Sequence, residues 1–151
     1  PLELTPEHLA EWTHGITTIE LAEIFAFALL RKTTHLTEQI LQLEQNENPL
    51  PRLTAYHTLA RLVTQNLPYT KSEENEKTTA QFSIFKLAIE HINPQDLDEI
   101  SAYRAIENLL TNITFHTTEL NHIIYNKLNE IKSTPTTYSN QLIINIENLT
   151  K

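Results

Sequence analysis

Residues 100–131 read ISAYRAIENLLTNITFHTTELNHIIYNKLNEI. Apolar side chains recur through this stretch at helical spacing, and neither proline nor glycine interrupts it. Such spacing is typical of an amphipathic α-helix, which completes a turn in about 3.6 residues. We therefore predict a long helix near 95–131. We expect a weak point in its threonine-rich middle, because β-branched side chains lose rotamer freedom in helices.

A second uninterrupted amphipathic stretch precedes it. No proline or glycine lies within Ile16–Glu47, and apolar residues again recur at three- and four-residue steps, which predicts a long helix near 17–46. After a turn at residues 45–51, Pro51 is expected to open a further helix. The final segment, 136–149, is predicted to be helical, although its QLIINI run is also compatible with a strand.

The whole chain, 1–151, has the length of a single domain. Long amphipathic helices joined by short turns indicate an all-α fold, which we expect to be an antiparallel helical bundle of five or six helices. The sequence has no cysteine and one glycine. It therefore excludes disulfides, thiol chemistry and the glycine-rich loops that bind phosphates.

The chain is acidic, with a formal net charge of −8 from 19 acidic and 11 basic residues. Nucleic acid is therefore an unexpected partner, because phosphate backbones are bound by clustered Lys and Arg. The longest apolar run, Ile24–Leu30, spans about 10 Å as a helix, too short to cross a bilayer. The acidic N-terminus also lacks the basic region of a secretory signal, so we expect a cytoplasmic protein that does not enter membranes.

One candidate catalytic pair is Arg52 and His57, which are separated by four residues. This arrangement resembles the RNA-cleaving motif of the HEPN superfamily, small helical bundles that often dimerise across that motif. The resemblance implies that His57 acts as general acid or base and that Arg52 stabilises the phosphorane. The structural alternative is a partly buried His57 beside a solvated Arg52. We keep a HEPN-like ribonuclease, or an inactive relative, as the alternative function.

A metal site is a second alternative. Glu11 with His14, and Glu119 with His122, have the Glu-x-x-His spacing found in di-iron helical bundles. The further ligands that such a site needs could come from Glu23 or Glu38 and from Glu90 or Glu107. Glu119 and His122 lie off the apolar stripe, so we expect no metal and no cofactor, and a metal- or small-ligand-binding bundle remains the weaker alternative.

Acidic charge is the remaining signal. Residues 1–30 hold five acidic residues and no basic one, and residues 90–107 hold five acidic residues against one Arg. An acidic face of this kind favours a basic protein partner. The candidate partner-binding residues are Trp12, Glu90, Asp96, Asp98 and Glu99. We expect a non-enzymatic protein–protein interaction module, such as an adaptor, a chaperone-like protein or an immunity or inhibitor protein.

Long amphipathic helices often bury a second face against another copy of the chain, so we predict a homodimer. Light scattering coupled to size exclusion should give twice the 17.4 kDa mass of one chain. A single species of 17.4 kDa across the accessible concentration range would contradict the prediction.

Overall fold

A computed structural model of the chain describes residue 11 and the ranges 13–30, 37–66 and 75–150. Within these ranges the chain is helical without a strand, which confirms the prediction of an all-α fold. The described helices are α1 (Ile19–Leu30), α2 (Thr37–Glu44), α3 (Pro49–Asn66), α4 (Asn75–Glu90), α5 (Ile100–His116), α6 (Asn121–Ser133) and α7 (Ser139–Thr150). A 3₁₀ turn, Pro94–Asp98, lies between α4 and α5.

Helix α3 forms the centre of the bundle. Helices α1, α2 and α5 pack along it, while α6 and α7 pack against each other and α7 also lies on α5. One cluster of buried apolar side chains runs through the described residues from Ile16 to Ile146. The side chains of α3 that enter this cluster include Tyr56, Leu59 and Val63, each 0% exposed. None of the described helices combines the length and apolar character that a bilayer crossing requires.

The stretch near 95–131 is not one helix. Residues 94–98 form the 3₁₀ turn, α5 ends at His116, and α6 begins at Asn121. The chain breaks at Thr117, whose backbone is extended (φ −158°, ψ 149°) and whose Oγ1 accepts a hydrogen bond from the Glu119 amide at 3.1 Å. A threonine hydroxyl that satisfies a nearby amide competes with the helical ladder, and the expected weak point is confirmed.

The stretch near 17–46 contains two described helices, α1 and α2, and residues 31–36 between them lie outside the described residues. Helix α3 begins at Pro49, two residues earlier than predicted. The Oδ1 atom of Asn48 accepts the Leu50 amide at 3.0 Å, so Asn48 caps this helix. Pro49 then occupies the first helical position, where the missing N–H costs nothing.

The C-terminal segment is helix α7, so its alternative as a strand is wrong. Its N-terminal end is fixed by Tyr138, whose amide donates to the Leu97 carbonyl at 2.9 Å and whose ring stacks on Tyr103 with centroids 5.1 Å apart. Its buried face carries Leu142 and Ile146, both 0% exposed. Burial at helical spacing outweighs the strand propensity of the run.

Helix α5 is capped at its N-terminal end by Glu99. The carboxylate of Glu99 accepts hydrogen bonds from the amides of Ser101 (3.0 Å) and Ala102 (2.9 Å), which otherwise have no partner in the first turn. Its negative charge also lies at the positive end of the helix dipole.

We predict that Glu99→Ala lowers the free energy of unfolding by about 1 kcal/mol, because it removes this cap. Urea denaturation measures the change. Glu119→Ala, which removes an exposed carboxylate, serves as the control and should change stability by less than about 0.5 kcal/mol. Equal effects of the two substitutions would contradict the assigned role of Glu99.

Candidate functional site

The interior of the bundle holds a bidentate ion pair between Arg52 of α3 and Asp96 of the 3₁₀ turn. Arg52 Nε lies 2.8 Å from Asp96 Oδ2, and Arg52 Nη2 lies 2.6 Å from Asp96 Oδ1. The two side chains are 10% and 4% exposed. Bidentate geometry is the strongest form of a guanidinium–carboxylate contact, and the hydrogen bond to Asp96 raises the pKa of Arg52.

The same pair is tied to two further segments. Arg52 Nη1 donates to the backbone carbonyls of Asn46 and Glu47, each at 2.9 Å, and so holds the turn between α2 and α3. Tyr56, one helical turn after Arg52, donates its hydroxyl to Asp96 Oδ2 at 2.7 Å and accepts the Asn93 amide at 3.1 Å. Burial, followed by the charge of Asp96, raises the pKa of the Tyr56 hydroxyl, which therefore stays protonated as the donor.

Lys127 of α6 forms a second internal anchor. Its ammonium donates to the carbonyls of Glu90 (2.7 Å) and Ile92 (3.0 Å) at the end of α4 and lies 2.7 Å from Glu130 Oε2. The side chain is 4% exposed. An ammonium has three donors, and all three have acceptors here. A cation also interacts favourably with the negative end of the dipole at the C-terminus of a helix. Lys127 therefore stabilises α4 and also joins α4 to α6.

Glu44, the last residue of α2, is the exception in this interior. It is 1% exposed, and neither of its carboxylate oxygens has a hydrogen-bond partner. Burial raises its pKa to about 9; the charge of Lys127 opposes this change and that of Asp96 reinforces it. In the folded chain Glu44 is therefore a neutral carboxylic acid at pH 7.

The proposed catalytic pair, Arg52 and His57, is not brought together. Arg52 is buried and bound to Asp96, so its interpretation as a solvated residue is wrong. His57 is partly buried on another face of α3, with Nε2 3.8 Å from Glu23 Oε1. Its pKa is lowered mainly by burial, which Glu23 opposes and Arg61 reinforces. The ribonuclease alternative stays a prediction to which these contacts add no support.

The proposed metal ligands Glu11, His14, Glu119 and His122 all have exposed side chains. The described part of the chain contains no group of three or more His, Asp or Glu residues arranged to hold a metal ion. The two Glu-x-x-His pairs therefore remain surface residues in the described structure.

The structure describes four of the five candidate partner-binding residues, all of them acidic. Asp96 does not lie on the acidic surface, because it is buried against Arg52. Glu99 caps α5, and exposed Asp98 accepts hydrogen bonds from the amide and hydroxyl of Thr137 at 2.9 and 3.0 Å. Glu90 is exposed. Because Glu90 lies 4.0 Å from Lys86, all four of these acidic side chains already have partners within the fold.

A surface pocket of about 530 Å³ opens between the segment before α1 and the turn before α3. Its lining includes Thr13, His14, Ile16, Thr17, Glu47 and Leu50. Trp12, the remaining partner candidate, lies outside the described residues. Glu20 and Glu23 are exposed on α1 beyond Thr17, together with Ile24, which is 59% exposed. We call the pocket with Glu20, Glu23, Ile24 and Glu47 the acidic pocket surface.

No protein-family model, curated protein or solved structure matches the chain.

Sequence reasoning missed Tyr56, Lys127 and Glu44 as polar core residues. Each occupies an apolar stripe: Lys127 lies three residues after Ile124, Glu44 lies four residues after Ile40, and Tyr56 lies three residues before Leu59. A charged or polar residue at a stripe position was the available signal. It did not identify the partners, since Asp96 is 44 residues from Arg52 and Ile92 is 35 residues from Lys127.

The buried pair gives a double-mutant prediction. Arg52→Met leaves Asp96 without its cation and should lower the free energy of unfolding by about 3–5 kcal/mol. Adding Asp96→Asn removes the unpaired charge, so the double variant should be more stable than the sum of the single effects by about 1–3 kcal/mol.

The exposed Lys132–Glu147 pair, 2.7 Å apart, is the matched control, and its coupling by the same cycle should be less than about 1 kcal/mol. Additive effects at Arg52 and Asp96 in chemical denaturation would contradict the structural role of the buried pair.

Proposed function

We propose that this chain is a non-enzymatic protein-binding module whose acidic pocket surface engages a basic protein. The observation that carries the proposal is the exposure of Glu20, Glu23 and Ile24 on α1, together with exposed Glu47 in the lining of a pocket of about 530 Å³. The residues of this surface lie within 13–24 and 45–51, and these two stretches contain no Lys or Arg.

Electrostatics favours a basic partner. Among the described residues, Glu20 and Glu47 have no ion-pair partner, and Glu23 is 3.8 Å from a histidine whose pKa is lowered. Carboxylates that are exposed on one surface attract a positively charged partner and steer its approach. A partner segment with Lys or Arg beside apolar residues fits this surface, because its cations would lie on the glutamates.

The apolar component supplies an anchor. Ile24 is 59% exposed although α1 is otherwise one of the most apolar stretches of the chain. Burying an exposed aliphatic side chain contributes to affinity without a catalytic group, as in the central contacts of protein interfaces. An adaptor, a chaperone-like protein and an inhibitor of a basic toxin would each use such a surface.

The internal polar groups support a binding role over an enzymatic one. Arg52, Asp96, Tyr56 and Lys127 have the chemistry of active-site residues, but each is buried and hydrogen-bonded to the fold. Residues that complete one another's hydrogen bonds hold the scaffold of a binding surface in place.

Under this proposal the protein acts as a homodimer in the cytoplasm. Large exposed apolar side chains away from the acidic pocket surface support the dimer, because a second copy can cover them. They include Phe115 (70% exposed), Tyr125 (58%) and Ile144 (54%).

Charge reversal tests the binding function. The immobilised wild-type chain, Glu20→Lys/Glu47→Lys and the control Glu90→Lys/Glu119→Lys are incubated with extract of the native cell, and retained proteins are identified by mass spectrometry. The two variants change the net charge equally. We expect a basic protein to be retained by the wild type and the control, lost by Glu20→Lys/Glu47→Lys, and released by high salt.

The affinity of the purified partner then tests Ile24 as the anchor. Ile24→Ser should weaken binding of this partner at least about fivefold, since truncating an anchor residue costs more than about 1 kcal/mol. Retention of the same proteins by all three immobilised chains would refute the proposal.

A further inference from the structure

Glu44 has a combination of properties that no other described acidic residue shares. It is 1% exposed and both of its oxygens lack a hydrogen-bond partner, whereas Asp96, which is 5% exposed, accepts three hydrogen bonds. A carboxylate in this position would lose its hydration without receiving a donor in return. A neutral carboxylic acid avoids most of that cost, so the folded state favours the protonated form.

The titratable and charged groups near Glu44 belong to several elements of the fold. Helix α2 packs against α3 and α4. Tyr56 of α3, Asp96 of the 3₁₀ turn and Lys127 of α6 interact with Glu44 electrostatically. The charged side chains of α4 near its end, Lys86 and Glu90, are exposed and lie 4.0 Å from each other.

These neighbours do not supply a counter-charge. Arg52 gives its guanidinium to Asp96 and to two carbonyls, and the ammonium of Lys127 is saturated by Glu90, Ile92 and Glu130. Lys127 favours the ionised form of Glu44, but burial and the charge of Asp96 oppose it. Loss of the Glu44 proton therefore creates a buried charge without a hydrogen-bonded partner.

We propose that Glu44 is a proton-controlled latch of helix α2: its neutral acid keeps the end of the helix packed on α3, and loss of the proton releases that end. The release is local because α2 has only eight residues and is followed directly by the turn at residues 45–48. The turn carries the Asn46 and Glu47 carbonyls that Arg52 holds, and both residues line the pocket. The latch therefore couples pH to the shape of the pocket.

The sign of the effect follows from proton linkage. The pKa of Glu44 is about 9 in the folded chain and 4.5 ordinarily, so the released state binds fewer protons between these values. The contribution of Glu44 to the stability of the closed state is therefore fully present below pH 4.5 and is lost as pH rises toward 9.

A carboxyl titration tests the proton itself. The full-length chain is labelled with ¹³C at glutamate, and the carboxyl resonance of Glu44, assigned through bonds, is followed with pH. We expect its midpoint above pH 7, far from the ordinary glutamate value of 4.5. A Glu44 midpoint at or below pH 7 overturns the proposal, and this measurement needs no variant to fold.

Hydrogen exchange tests the release. Protection of the α2 amides is compared between wild type and Glu44→Gln, which keeps the shape and removes the ionisation, with Glu47→Gln as the matched control. The ratio of protection, Glu44→Gln over wild type, should grow at least tenfold between pH 5 and pH 8 in α2 and stay constant in α5. Glu47→Gln should follow the wild type.

A ratio that does not change with pH in α2 would overturn the latch even if Glu44 is neutral. If Glu44→Gln does not fold, the wild-type titration decides. Neither readout depends on the acidic pocket surface binding a partner, so the latch and the proposed function stand or fall separately.

Discussion

The guanidinium of Arg52 joins helix α3 to the turn just before it and to the 3₁₀ turn, whose Asp96 is 44 residues away in sequence. It binds Asp96 with two hydrogen bonds and the carbonyls of Asn46 and Glu47 with two more. Tyr56 completes the cluster from the next turn of α3. Apolar packing alone would let α3 slide among its neighbours, because aliphatic contacts have little directionality. Directional hydrogen bonds at the base of α3 fix its register against the 3₁₀ turn and the turn before it.

The helical architecture was predictable because it depends on a local pattern. Burial every three or four residues follows from helix geometry, and the all-helical fold is confirmed. The interruption at Thr117 was also accessible from the threonine-rich sequence. The earlier start of α3 depends on an Asn48 hydrogen bond that is readable in retrospect from the Asn-Pro pair. Residue propensity left the C-terminal segment open between a helix and a strand. The segment is helix α7, in which Leu142 and Ile146 are buried together at helical spacing.

The polar interior was not predictable, because its partners are distant in sequence. Arg52 was noticed for its spacing from His57, yet its partner is Asp96, which the charge pattern assigned to the surface. A count of acidic residues treats each one as a negative charge at the surface. In the folded chain Asp96 is buried and Glu44 is neutral, so neither contributes to the surface charge. The surface near α1 is acidic as the charge count indicated, since Glu20 and Glu23 are exposed. Glu47 joined them through a turn whose position only the fold defines.

Asp96 and two backbone carbonyls hold Arg52 inside the protein as a structural residue. Nuclear magnetic resonance of the arginine Nε–H protons measures this directly, with exposed Arg104 as the internal reference. We expect the Arg52 Nε proton, which is bound to Asp96, to exchange with water at least about a hundredfold more slowly than that of Arg104. Equal exchange rates would show that the Arg52–Asp96 pair is open to solvent and that Arg52 is not held as a structural residue.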